Sequence, residues 1–317
     1  MNNGRIILAG GSGFLGTLLA QELAAQGCEV IVLTRTPSSR QGPIKEVQWD
    51  GRTLGPWTGQ LNGARAVVNL TGRSVNCRFT PENRREIIES RVNSVRIIGE
   101  AIRRCAQPPR VLVQASGQAI YGDYGETVCD ETTPPGEGFL VETCLQWEKA
   151  FNDSFTPSTR RVLVRIGFVL SDGGGALKKL AALTRWGLGG RVGNGRQYIS
   201  WIHAKDMTRI FMSAIERNNI EGVFNASAPF PVTNAEFMRE LRRALHRPWS
   251  PPVPTWAVHL GAWLMKTEAR LALTGRPCIP KRLLEQNFAF LFPKLGDALQ
   301  EIYGSSTTRP LSDSPRK

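Results

Sequence analysis

Arg5-Ile6-Ile7-Leu8-Ala9-Gly10-Gly11-Ser12-Gly13-Phe14-Leu15-Gly16 is the stretch that decides how the rest of the chain is read. The first five residues form a short apolar run suited to a buried strand. A glycine-rich turn follows at once, and an amphipathic helical pattern then continues to about Gly27. Glycines let a backbone turn tightly and approach a phosphate closely, and the free N–H groups at the start of a helix attract an anion. A second strand, Glu29-Val30-Ile31-Val32-Leu33, completes the strand–turn–helix–strand context that separates a diphosphate cradle from an ordinary surface loop. Gly10, Ser12, Gly13, Phe14, Leu15 and Gly16 are therefore expected to hold a dinucleotide.

The end of the second strand bears on which dinucleotide. A site for NAD usually places a carboxylate there for the ribose hydroxyls, whereas an added phosphate requires a cation. This chain has Thr34-Arg35-Thr36, with Arg40 a little further on. A guanidinium can fork onto a phosphate and stack on a flat base, so Thr34 and Arg35 suit the 2′-phosphate of NADP(H). The plain alternative is that Arg35 is a solvated residue at a strand end.

With 317 residues the chain can bury one large core, or one core with a smaller lobe. Its hydrophobic content of 41% and charged content of 21% are those of a globular protein. The formal charge of +13 raises the question of nucleic acid. The basic residues are scattered, however, as pairs such as Arg84-Arg85, Arg103-Arg104, Arg160-Arg161, Lys178-Lys179 and Arg242-Arg243. That pattern favours a solvated basic surface and an anionic ligand over a nucleic-acid partner. The six cysteines show no C-x-x-C spacing and no clustered histidines accompany them, so reduced thiols are expected and no metal site. The amino terminus runs directly into the first strand, and Trp256 to Met265 is too short to span a bilayer. A cytoplasmic protein without a membrane partner is the expectation.

Further strand-like runs occur at Lys45–Gln48, Arg65–Leu70, Arg110–Ala115 and Arg161–Ile166, with helical patterns between them. This alternation predicts an α/β fold, a Rossmann-type doubly wound parallel sheet. The longest helix is predicted from an N-cap at Thr80, through Pro81, to about Arg104. Gly173–Arg196 reads as a loop-rich region, and Thr233-Asn234-Ala235-Glu236 as a capping box. The expected division is a nucleotide-binding domain over 1–228, a small, mainly helical lobe on the substrate side over 229–303, and a disordered tail over 304–317.

Gly10-x-x-Gly13-Phe14-Leu15-Gly16, Leu33-Thr34-Arg35, Val68-Asn69-Leu70-Thr71-Gly72, Ser90-Arg91, Tyr121-Gly122, Trp147-Glu148, Gly174-Gly175-Ala176-Leu177, Ser200-Trp201-Ile202-His203 and Pro280-Lys281-Arg282-Leu283-Leu284 together carry a resemblance over nearly the whole chain. The chain resembles the extended short-chain dehydrogenase/reductase superfamily. Within it, the chain is most similar to an epimerase-family subgroup with a carboxy-terminal domain of unknown function. The resemblance implies NADP(H) as cofactor and adds Leu70, Thr71, Gly72 and Arg91 to its contacts. It leaves a homodimer open.

The superfamily's chemistry uses a Tyr and a Lys four residues apart, stacked on one helical face, where the Lys charge lowers the tyrosine's pKa. Matching that helix to Phe139–Phe151 places Cys144 at the tyrosine position and Glu148 at the lysine position. The Ser/Thr helper position falls on Gly117, with Ser116 just before it. On the long helix Arg91 shares an apolar stripe with Ile88, Val95 and Ile102, and a charge on such a face needs a partner unless it snorkels to solvent. Pairing of Arg91 with Glu148 is the expected compensation for the missing Lys. Ser116, Tyr121 and Tyr124, near a strand end, are the candidates for proton transfer. Cys144 is a candidate nucleophile, although a small buried thiol beside Glu148 is the simpler reading. His203 fits the opening of a helix, and Trp147 fits the core.

Three functions follow from these residues. The first is an NADP(H)-dependent oxidoreductase acting on a small carbonyl or hydroxyl substrate, possessing an anionic group if Arg185, Arg191 and Arg196 face it. The second is a non-catalytic NADPH-binding sensor or interaction protein. The third is a nucleotide-sugar epimerase, which the absent Tyr/Lys pair weakens most.

Overall fold

The computed structural model describes residues 4–38 and 42–304. Arg40 and positions 305–317 of the expected tail lie outside them. Strands β1 (Arg5–Ala9), β2 (Glu29–Thr34), β3 (Ile44–Gln48), β4 (Ala66–Asn69), β5 (Val111–Gly117) and β6 (Arg160–Ile166) alternate with helices α1 (Phe14–Ala25), α2 (Pro81–Arg103) and α3 (Phe139–Asp153). Then come β7 (Phe168–Leu170), α4 (Gly175–Arg185), β8 (Tyr198–Ile199), β9 (Trp201–His203), α5 (Ala204–Glu216) and β10 (Gly222–Ala226). The chain continues through β11 (Val232–Thr233), α6 (Asn234–Ala244), α7 (Thr255–Leu264), α8 (Arg270–Leu273), α9 (Lys281–Glu285) and α10 (Leu295–Tyr303).

Seven strands form one parallel sheet in the order β10-β6-β5-β4-β1-β2-β3. Its strands are apolar on both faces, as a sheet covered on both sides requires. Ile6, Leu8, Val30, Val32, Val68 and Val113 point to one face and pack against Leu19 and Leu23 of α1 and Ile210 and Phe211 of α5. Ile7, Ile31, Leu33, Val67 and Leu112 point to the other and meet Val95 and Ile98 of α2 and Trp147 and Phe151 of α3. The doubly wound architecture follows from that alternation.

The local signals work as read. Thr80 caps α2, its hydroxyl accepting from the Asn83 N–H, and Pro81 occupies the first turn. Thr233 and Glu236 form a reciprocal capping box at the head of α6. His203 opens α5, its Nδ1 accepting from the Lys205 N–H while Nε2 lies 3.0 Å from Glu301 Oε2.

Two expectations are corrected. Gly173–Arg196 is not simply loop, because α4 occupies Gly175–Arg185 and buries Leu177 and Ala181. These residues join Leu170, Trp201, Phe237, Leu241 and Leu299 in a third core, shared by residues on both sides of position 228. Arg160 and Arg161 are half-buried and turned to backbone carbonyls rather than fully solvated. Arg160 donates to the carbonyls of Ala214, Ile215 and Ile220, and Arg161 to that of Phe151. All six cysteines are free thiols, four of them buried. No described helix is long and apolar enough to cross a membrane.

Candidate functional site

A cleft of about 470 Å3 runs along the carboxyl ends of the sheet strands. At one end it is walled by the turn between β1 and α1, at the other by Ser116, Cys144 and Trp147. Open α/β sheets bind ligands in this location.

The first wall is backbone. Gly10 has φ +73°, and a Cβ there would stand 2.9 Å from the amide nitrogen of Thr71. A Cβ on Gly16 would come within 2.5 Å of the Gly11 Cα, so helix and turn meet with no room for a side chain. Gly13, the N-cap of α1, provides no side-chain cap, and the first turn carries no acidic residue. The N–H groups at this helix end therefore remain available to an anion. Ser12 and Thr34 hydroxyls meet at 3.2 Å where β2 ends, and the exposed Arg35 makes no ion pair with any described residue. The Thr71 hydroxyl is buried and has no described partner. Leu70 and Gly72 line the cleft, held by Asn69, whose Oδ1 accepts from the Thr71 N–H at 3.1 Å. Phe14 reaches from the turn toward α4, and its ring lies where side chains on Gly174 or Gly175 would otherwise be. These residues fit a dinucleotide diphosphate with a phosphorylated ribose.

The second wall differs. Glu148, on α3, is nine-tenths buried and is held bidentately by Arg165 of β6, with Nε to Oε1 at 2.9 Å and Nη2 to Oε2 at 2.8 Å. Ser116 donates to the same Oε1 at 2.7 Å. The β5–β6 register sets Ser116 directly across from Arg165. Arg165 also donates through Nη1 to the Tyr121 hydroxyl at 2.9 Å, which donates in turn to Asn225 Oδ1 of β10 at 2.9 Å. Burial pulls the Arg165 guanidinium toward neutrality, and the hydrogen bonds and charge of Glu148 more than reverse that pull. A buried pair of this kind is favourable only when geometry and hydrogen bonding are complete, as here.

The expected pairing of Arg91 with Glu148 is therefore corrected. Arg91 donates to the carbonyls of Arg73 at 3.0 Å and Ile87 at 2.9 Å and lies over the Trp147 ring. Burial moves its pKa down. The apolar stripe of α2 faces inward as its spacing predicts, but backbone carbonyls and an indole satisfy the charge. Arg91 does line the cleft, as do Ser116 and Cys144.

Tyr121, Tyr124 and Glu148 do not line it, which corrects their place among the groups meeting a substrate. Tyr121 is fully buried, and burial pushes its hydroxyl up to about 12. Tyr124 donates to the carbonyl of Pro134 at 3.1 Å. Burial, followed by the nearby Glu148 charge, pushes the Cys144 thiol up to about 11, with its sulfur 3.6 Å from the Gly117 carbonyl. Cys144 is thus a neutral thiol. The helper position and the tyrosine position are adjacent in space, but neither carries an acid or base. Trp147 is mostly core, though its Nε1 has no described partner. Sequence reasoning missed Arg165 and Asn225. Arg165 left a signal, since a lone arginine in the apolar run Val162-Leu163-Val164-Arg165-Ile166 demands a buried partner.

A glycine turn feeding the first helix of a seven-strand parallel sheet, with a further lobe at its carboxyl edge, defines an extended short-chain dehydrogenase/reductase fold. The chain belongs to the NAD dependent epimerase/dehydratase family, whose model matches residues 6–227. A second model, a domain of unknown function (DUF1731), matches residues 253–302. The chain is 36% identical over 303 residues to the Epimerase family protein SDR39U1 of Bos taurus, covering 94% of this chain and 99% of that protein. It is 32% identical over 305 residues to the Epimerase family protein YfhF of Bacillus subtilis, covering 96% and 99%. The crystal structure of the human SDR39U1 protein (isoform2) with NADPH superposes with a TM-score of 0.85 at 35% identity, covering 95% of this chain and 99% of that one.

Proposed function

We propose that the protein binds NADP(H) in the cleft and acts as an oxidoreductase on a small carbonyl or hydroxyl compound. The observation that carries this reading is one continuous cleft joining the Gly10–Gly16 turn to Ser116. The human relative crystallised with NADPH supports the cofactor, as does Arg35 at the end of β2 without a carboxylate beside it. NADP(H), when bound, supplies or accepts the hydride.

Ser116 is the polar group placed to meet the reacting oxygen. Its proton points to Glu148, so its oxygen lone pairs are left to accept from a substrate hydroxyl. As an alcohol is oxidised, its proton passes to Ser116 Oγ while the Ser116 proton passes to Glu148 Oε1. Reduction of a carbonyl runs the same path backwards. Arg165 holds the Glu148 carboxyl group in position throughout. Apolar walls from Leu140, Val75 and Ile166 exclude water and select a small, mostly apolar substrate body.

NADPH consumption measured across aldehydes, ketones and quinones tests the reading. Turnover of at least one of them, slowed about 100-fold by Ser116→Ala at unchanged NADPH affinity, is expected. The second reading, a non-catalytic NADPH-binding sensor, draws on the neutral Cys144 thiol and the locked Tyr121 hydroxyl. Tight NADPH binding with no turnover across the panel would select it. Epimerisation of a nucleotide sugar has less support, because Cys144 and Glu148 stand where the fold's usual Tyr and Lys would be.

A further inference from the structure

A second cavity, of about 260 Å3, adjoins the cleft and shares Ala119 and Ile166 with it. The lobe closes its outer side through Leu271, Thr274, Gly275 and Arg276. Gln118 lies against this cavity and is only 4% exposed, yet neither its amide oxygen nor its amide nitrogen has a described hydrogen-bond partner. Buried amides are almost always paired, and an orphan marks a group awaiting a ligand or water. The neighbouring Gly167 makes room for it, since a Cβ there would stand 2.8 Å from Gln118 Oε1.

Arg276 is the second observation. It is the sole charged residue in the cavity wall and pairs with no described carboxylate. Nη1 donates to the Gln118 carbonyl at 3.0 Å, which fixes the side chain beside the amide and leaves other N–H groups free. Ser200 anchors the same segment, donating to the Arg276 carbonyl at 2.7 Å and accepting from the Cys278 N–H at 2.7 Å. The cavity thus combines an uncompensated guanidinium with an unpartnered amide, and no acidic side chain lines it.

We propose that this cavity is the substrate's carboxylate subsite, so that the substrate is a small hydroxy or oxo acid with an apolar body. This rests on the oxidoreductase reading above. A carboxylate takes the free edge of Arg276 in a charge-assisted contact and accepts from Gln118 Nε2. The wall shared through Ala119 and Ile166 then leaves the reacting carbon on the cleft side, toward Ser116. A single arginine matches a monoanion, and Phe168 and Ile199 cover the apolar body.

Titration of the full chain with lactate and 3-phenyllactate, and with their methyl esters, tests the subsite with and without NADP+. At least one acid is expected to bind, with its ester about tenfold weaker or more. Arg276→Gln and Gln118→Leu should each remove that preference while NADPH affinity stays the same, and Arg276→Lys should restore part of it. Melting curves establish that each variant is folded. Equal binding of acid and ester, or no binding of either acid, would overturn the proposal. So would a Gln118→Leu variant that loses NADPH affinity but keeps the acid preference, because the amide would then serve the cofactor. Acid binding without any NADP+-dependent oxidation would support the subsite and remove only the oxidoreductase reading.

Discussion

The two walls of the cleft are built on opposite plans. The turn from Gly10 to Gly16 leads into a helix whose first N–H groups have no side-chain cap, and its glycines keep side chains away. The wall at Ser116 is dense with charge, yet Glu148, Arg165, Tyr121 and Asn225 satisfy one another almost completely. The first wall is poised for a ligand. The second is poised chiefly to hold its own shape, and of these residues only Ser116 lines the cleft. A Tyr/Lys pair would have left an ionisable phenol facing the substrate. Here the charge has been moved behind the serine.

The sharpest way to break this contrast is Arg165→Met. Removing one partner strands the buried Glu148 carboxylate, and an equilibrium-unfolding loss of about 3–5 kcal/mol is expected. A combined Arg165→Met and Glu148→Leu protein should recover much of it. A small loss in the single variant would mean that the network is hydrated and ordinary. Gly10→Ala comes next. The added Cβ meets the Thr71 backbone and forces a strained φ, so about 1–3 kcal/mol of stability should go, along with most NADPH affinity in calorimetric titration.

Arg35→Ala should leave the fold intact and lower the preference for NADPH over NADH about tenfold, by loss of one charge-assisted phosphate contact. Equal affinity for the two cofactors in the unmodified protein would refute the assignment of Arg35. The smallest effect is expected at Cys144. With its thiol pushed up to about 11, roughly one molecule in a thousand carries the thiolate at pH 8. Iodoacetamide should modify Cys144 more slowly than the partly exposed Cys77, with reaction rising as pH approaches 11. Cys144→Ala should change turnover little. Rapid alkylation at neutral pH would place an activated nucleophile in the site.

The first wall was legible in the sequence because its determinants are local. Strand, glycines and helix follow one another within a few residues, as do Thr80 with Asn83 and Thr233 with Glu236. Helical spacing also showed that Arg91 faces inward. Spacing reports a face, however, and not the partner across it. Arg165 reaches Glu148 because β5 and β6 lie side by side, a relation no short window contains. Asn225 belongs to β10, an edge strand whose short run gave no expectation at all. The α4 helix was hidden for another reason. Gly173-Gly174-Gly175 reads as loop, whereas the bareness of Gly174 and Gly175 is a packing requirement set by the Phe14 ring.

That contact ties together two parts of the molecule far apart in sequence. Phe14 is fixed in the turn that faces the nucleotide site, and the helix beginning beneath its ring buries Leu177 and Ala181 in the third core, beside Phe237 and Leu299. A change of volume at either end has to be matched at the other. Descent should therefore keep the aromatic residue and the glycine pair as a correlated set. A lineage that replaces Phe14 with a small residue becomes free to place side chains at the start of α4, and one that retains it does not.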